Sequence, residues 1–184
     1  MRKIILVSWY LIFLFSFKSY CQESDQAKVD TSSFTYFMSL AQSQIDKQLS
    51  NWKLKDLEGN EYELSDYAGD LILLEFWGTG CGACVKAARD VCFIDSVYKP
   101  KGLEVIGIES DGRSNLEQIK NFKQDYNFNY LTLIGGKEIS EKYRVRAYPT
   151  FFLIDKSGKI IYAHIGFFYG NKKDELITII ERNL

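Results

Sequence analysis

Apolar and polar positions follow changing periods along this chain. Arg2 and Lys3 precede an unbroken apolar run from Ile4 to Phe17, and residues 22–33 are polar. Phe34, Phe37, Met38, Ala41 and Ile45 then recur at helical spacing, which predicts an amphipathic helix over 34–48. Next the period drops to two. Trp52 and Leu54 alternate with lysines, Tyr62 and Leu64 with glutamates, and Asp56-Leu57-Glu58-Gly59-Asn60 between them reads as a hairpin turn. Leu71 to Trp77 is mostly apolar without alternation, as expected of a parallel or central strand buried on both faces. A helix is predicted over 82–98, ended by Pro100 and Gly102, then a second core strand over Leu103–Ile108. A helix over 114–126 carries Leu116, Ile119, Phe122 and Tyr126 on one side. Tyr130–Ile134 reads as a short strand and 137–143 as a short helix. Phe151–Ile154 and Ile160–Ile165 flank the turn Asp155-Lys156-Ser157-Gly158-Lys159, and a last helix runs from about 172 to 183.

After residue 70 the order is β-α-β-α-β-(α)-β-β-α. Alternation of this kind predicts an α/β fold with a mixed sheet covered by helices on both faces. Sites in such sheets lie at the carboxyl ends of strands. Cys81 stands just past such an end.

Composition changes this picture at the N-terminus. The 184 residues are 46% hydrophobic and 26% charged, ordinary for one globular domain. Residues 1–21, however, have the charged start, apolar middle and Ser19-x-Cys21 end of a secretory signal peptide, with an uncleaved anchor as the alternative. Loss of Arg2, Lys3 and Lys18 leaves 20 basic residues against 24 acidic ones, in a mildly acidic exported protein. With no basic patch, a nucleic-acid partner is excluded. Three cysteines remain after Cys21: Cys81, Cys84 and Cys92. Zinc is discounted because the only histidine, His164, lies far along the chain, and haem attachment because Val85 follows the second cysteine. No cofactor is expected.

The pair Cys81-Gly82-Ala83-Cys84 carries the chemistry. If a helix starts at Cys81, its first amides and dipole point at that sulfur and favour the thiolate. Cys81 is then the attacking thiol, and Cys84, one turn inward, resolves the mixed disulfide. Glu75, buried in the preceding strand, would have a raised pKa and could take the proton from Cys84. Cys92, two turns further along the helix, is too distant to bridge and reads as a buried free thiol. His164 reads as structural or solvent-facing.

Two stretches resemble the exported TlpA/ResA-like family of thioredoxin-fold proteins. They are Glu75-Phe76-Trp77-Gly78-Thr79-Gly80-Cys81-Gly82-Ala83-Cys84 and Ala147-Tyr148-Pro149-Thr150-Phe151-Phe152-Leu153-Ile154-Asp155. The opening hairpin from Trp52 to Gly59 and Leu64-Ser65-Asp66-Tyr67-Ala68-Gly69 are similar to the same family. The likeness covers about residues 50–184, after a helical extension over 22–49. It implies a thioredoxin-like fold and an envelope-facing thiol-disulfide oxidoreductase, often a reductase of protein substrates, supplied by a membrane-embedded thiol donor. It implies a cis Pro149 facing the cysteines, with Tyr148 lining the docking groove and Trp77 as a wall of that groove or a core residue. Thioredoxins carry an acid at the position of Glu75, where many TlpA-like proteins carry Asn. The chain departs from the family at Gly80, usually a large residue, and at Ala83, usually Pro. Ala87 and Arg89 stand where a Glu and a Pro are common. Two other functions stay open: a thiol peroxidase, although Gly78 rather than Thr is three residues before Cys81, and a non-catalytic thioredoxin-like binding module.

Overall fold

The computed structural model describes residues 31–184. The signal segment and the polar stretch before residue 31 lie outside the described residues. Among the described residues no helix is long and apolar enough to cross a membrane.

Helix α1 (Thr31–Gln42) precedes a hairpin of β1 (Lys53–Asp56) and β2 (Glu61–Glu63). The rest alternates as expected: β3 (Leu71–Trp77), α2 (Gly82–Tyr98), β4 (Leu103–Glu109), α3 (Leu116–Asp125), β5 (Leu131–Ile134), α4 (Lys137–Lys142), β6 (Thr150–Ile154), β7 (Ile160–Ile165) and α5 (Lys172–Asn183). One sheet holds all seven strands in the order β2-β1-β5-β4-β3-β6-β7. β3, β4 and β5 run parallel, while β6 runs antiparallel to β3. Every residue of β3 is buried, which explains its nearly continuous apolar sequence.

The strands send alternate side chains to two cores. Leu71, Leu73 and Trp77 pack with Cys84, Ala87, Val91 and Ile94 of α2 and with Leu176 and Ile180 of α5. Ile72, Leu74 and Phe76 pack on the opposite side with Ala41 of α1 and with Tyr143 and Val145. α3 starts at a capping box in which Asn115 and Gln118 accept each other's backbone N–H. Gly102 ends the turn after α2 at φ +103°, a conformation that suits a residue without Cβ.

Two expectations need correction. The first helix stops at Gln42, not near residue 48. The chain turns at Asp46, whose φ is +68°, and then hydrogen-bonds along β7: the Asp46 N–H donates to Ile160 O, and the Ile160 N–H donates to Lys47 O. These tertiary bonds override the helical spacing, and residues from Ser33 onward belong to one compact unit. On α3 the apolar side is narrower than predicted. Ile119 is buried, but Leu116 and Tyr126 are 43% and 45% exposed, because each lies at an end of a helix only ten residues long.

Candidate active site

β3 delivers the chain to the site. Its last residue, Trp77, leads through Gly78-Thr79-Gly80 to Cys81, which is the N-cap of α2. Gly80 has φ +75°, so the departure from the family's large residue coincides with a left-handed backbone that favours glycine. At the cap the Cys81 sulfur does what a Ser or Asp oxygen does elsewhere: Sγ accepts the Cys84 N–H at 3.1 Å. Cys81 and Cys84 are joined in a disulfide, with Cα atoms 5.2 Å apart. Cys81 is partly exposed and Cys84 fully buried, so a partner can reach only the first sulfur.

Glu75, two residues before the end of β3, has no exposed surface. It shares the α2 side of β3 with Leu71, Leu73 and Trp77 by strand alternation. Burial pushes its pKa up to about 8, against the lowering effect of the Tyr130 hydroxyl, which donates to Oε2 at 2.5 Å. Oε1 has no hydrogen-bonding partner among the described residues. Glu75 is therefore a carboxyl poised near neutral pH, as its place in an apolar strand suggests.

The Tyr148–Pro149 peptide bond is cis. Thr150 faces Phe76 across the β3–β6 ladder, which brings Pro149 level with Trp77 at the same sheet end as the cysteines. The Tyr148 hydroxyl donates to Ser110 O at 3.0 Å, and the Ser110 N–H donates to Trp77 O at 3.0 Å. The loops after β3, after β4 and before β6 are thus tied together. Trp77 itself cannot touch a substrate here. It is fully buried, stacked on Phe122 at 5.5 Å and packed against Phe128 at 5.1 Å. Its alternation with Phe76 sends the indole inward, under the site, rather than into a groove.

Sequence reasoning missed three contributors. Glu109, buried at the carboxyl end of β4, has its pKa raised to about 7 by burial and by the neighbouring Asp111 carboxyl. Asp111 stays below its usual range: burial opposes this, but hydrogen bonds from Glu109 and Arg113 win. A Cβ on Gly78 would lie 2.5 Å from Asp111 Oδ2, so this acidic pair walls the loop that carries Cys81. Thr79 is held from the same side by a hydroxyl contact with Ser114. The third contributor is Tyr130, which reads in the sequence as the start of a strand and no more. The signal was present, since an acid in a buried strand needs a buried donor, but only strand order reveals which residue supplies it.

Two other residues lie away from the chemistry. Cys92 is free and partly buried, donates to Asn127 O at 3.1 Å, and has its thiol pKa pushed up by burial. His164 is buried in a stack with Phe168, at 5.3 Å and 15°, and burial lowers its pKa. Among the described residues, no three His, Cys, Asp or Glu side chains gather in a group that could hold a metal ion.

A mixed sheet with a two-residue cysteine loop capping the helix after its central strand, and a cis-proline at the same end, defines a thioredoxin-fold dithiol–disulfide protein. A match to the AhpC/TSA family spans residues 45–163, more than half of the chain. Thiol-disulfide oxidoreductase ResA of Bacillus thuringiensis subsp. konkukian is 38% identical over 127 residues, covering 68% of this chain and 72% of that protein. The ResA of Bacillus anthracis is 36% identical over 132 residues, covering 71% and 75%. Among solved structures, the thiol:disulfide interchange protein DsbE of Chlorobium tepidum superposes with a TM-score of 0.67 at 25% identity, covering 74% of this chain and 96% of that one. The exposed lipoprotein thioredoxin of Streptococcus pneumoniae follows with a TM-score of 0.62 at 29% identity, covering 72% and 99%. The chain belongs to the AhpC/TSA family and, within it, to the ResA/TlpA-like thiol-disulfide oxidoreductases. Its activity is thiol-disulfide exchange.

Proposed function

We propose that this oxidoreductase acts as a reductase of protein disulfides in the cell envelope, through Cys81 and Cys84 with Glu75 as the proton acceptor. One observation carries the reading: a partly exposed Cys81 sulfur sits at a helix N-cap with the buried Cys84 one turn behind it.

In the reduced protein the Cys81 thiolate, favoured by the helix start, attacks a substrate disulfide. A Cys81–substrate bond forms and the first substrate sulfur leaves with the electron pair. Cys84 then gives its proton to Glu75 and attacks Cys81 Sγ. The intramolecular disulfide closes, and the second substrate sulfur leaves as a thiolate that takes a proton from water. Two electrons pass from protein to substrate, and a membrane-embedded thiol donor returns them. Tyr148 and Pro149 border the place where an extended substrate would lie. Export rests on the leader-like pattern of residues 1–21.

Peroxide reduction is the weaker reading. Gly78 stands three residues before Cys81, and the Thr79 hydroxyl is engaged by Ser114. A binding role without catalysis has no use for a buried carboxyl near neutral pH beside the pair.

The test is insulin disulfide reduction by the dithiothreitol-reduced protein, together with its equilibrium against glutathione. Rapid insulin reduction, lost in C81S, and a potential near or below that of thioredoxin are expected. A potential well above it would make the protein an oxidant or isomerase. An inert Cys81 in alkylation kinetics would remove the exchange mechanism itself.

A further inference from the structure

The partner of Glu75 lies two strands away, and the route to it is built by a glycine. Glu75 on β3 faces Gly107 on β4, and Gly107 faces Thr132 on β5. Tyr130, just before β5, must cross β4 to reach Glu75. A Cβ on Gly107 would lie 2.8 Å from Tyr130 Cε2, closer than packed atoms tolerate, and a tight 3.1 Å from Trp77 Nε1. The missing side chain is therefore the opening through which the phenol passes. Both ends are buried, Glu75 at 0% and Tyr130 at 2% exposure. The hydroxyl takes Oε2 and leaves Oε1 without a partner among the described residues.

We propose that Tyr130 is a positioning residue of the resolving step: its phenol, admitted by Gly107, aims the Glu75 carboxyl and steadies its charge, so that the free oxygen can take the proton of Cys84. This rests on the reading of Glu75 as the proton acceptor. In the mixed disulfide the Cys84 S–H breaks and its proton goes to Glu75 Oε1. The Cys84–Cys81 bond forms, the Cys81–substrate bond breaks, and the substrate sulfur leaves with the electron pair. Tyr130 keeps its own proton throughout, because burial and then Glu75 hold its pKa well above the usual value. It is a donor only. A hydroxyl that donates to a carboxylate favours the charged form, which burial alone would suppress.

The other titratable groups around this pair leave that role to Tyr130. From α2, Cys92 and Asp95 face it, and both have pKa values raised chiefly by burial. From α3, Lys123 Nζ donates to the Tyr130 backbone carbonyl at 2.7 Å, not to the carboxyl. On the β6 side Phe151 faces Glu75, and His164 stands beyond it on β7.

The test uses the full chain with Cys21 and Cys92 replaced by Ala, mixed in its reduced form with 5,5′-dithiobis(2-nitrobenzoate). The second, concentration-independent release of thionitrobenzoate reports the attack of Cys84 on Cys81. In the parent its rate should rise with pH through a midpoint set by Glu75. Y130F should move that midpoint up by about one pH unit and slow the step at pH 7 by up to about tenfold, with the high-pH plateau kept. G107A, which obstructs the phenol but retains it, should shift the profile the same way and serves where Y130F folds poorly. E75Q should abolish the midpoint, and Y130F should then add nothing. A Y130F profile that overlays the parent, or one slowed equally at every pH, overturns the positioning role while E75Q still distinguishes Glu75. An E75Q profile that overlays the parent overturns the Glu75 reading, and the inference with it.

Discussion

β3 has two faces, and they are built differently. Ile72, Leu74 and Phe76 pack in a cluster of apolar and aromatic side chains, where the Phe76 ring lies 6.0 Å from the Phe152 ring and 6.2 Å from the Tyr143 ring, centre to centre. The other face carries Leu71 and Leu73, then Glu75 and Trp77. Among the described residues, Glu75 Oε1 and Trp77 Nε1 on that face have no hydrogen-bonding partner, and on the first face only Trp52 Nε1, from outside β3, shares that condition. Unpaired buried polar atoms are costly, on the order of 1–3 kcal/mol each. The side chains that β3 itself sends to the first face are all apolar, as stability alone would select. The second spends stability on the side of β3 that packs against Cys84's helix, and a buried acid with a raised pKa is the return.

The sharpest way to break this comparison is Phe76→Ala. It should cost about 3–5 kcal/mol in denaturant unfolding and leave the pH midpoint of exchange in place, because Phe76 faces away from Glu75. An altered midpoint would mean that the two faces are coupled.

Next comes Glu75→Gln, read as stability against pH. The folded pKa, about 8, lies above the ordinary glutamate value of 4.5. The protonated form is therefore favoured by folding, and that stability is present below the unfolded pKa and lost as pH rises through the folded one. Relative to E75Q, the parent should lose on the order of 3 kcal/mol between pH 5 and 7.5. Glu109, also raised, adds to the loss in both proteins. His164, whose lowered pKa has the opposite sign, offsets part of it in both, so the difference isolates Glu75. Parallel curves would refute a titrating Glu75.

Gly78→Ala should cost about 1–3 kcal/mol, since the new methyl meets the Asp111 carboxylate. Asp111→Ser should relieve most of that cost, and a double-mutant cycle by thermal unfolding measures the coupling. The smallest effect belongs to Cys92→Ala. About 1 kcal/mol of stability is expected to go with its hydrogen bond and packing, with no change in exchange rate. A slower rate would make Cys92 part of the redox chemistry.

Much of the molecule was legible along the chain. The buried strand, the helix ended by Pro100 and Gly102, the β6–β7 turn and the last helix announce themselves by local pattern, because apolar spacing and turn residues act within a few positions. The first helix was drawn too long, because Asp46 answers to β7, more than a hundred residues away in sequence. Of the two places the sequence leaves open for Trp77, groove wall or core, the structure takes the core, because a strand-end aromatic can turn either way until Phe122 and Phe128 close over it.

The sequence by itself determined which chemistry is on offer: two cysteines a turn apart, an acid in an apolar strand, and a proline before a core strand. These are local facts, set by covalent spacing and by the cost of burying charge. Only the tertiary structure decided what the acid answers to. Gly107 and Tyr130 come from separate strands, and their meaning depends on β4 and β5 lying beside β3 in register. That adjacency is set by packing over the whole sheet, which no local run of residues contains.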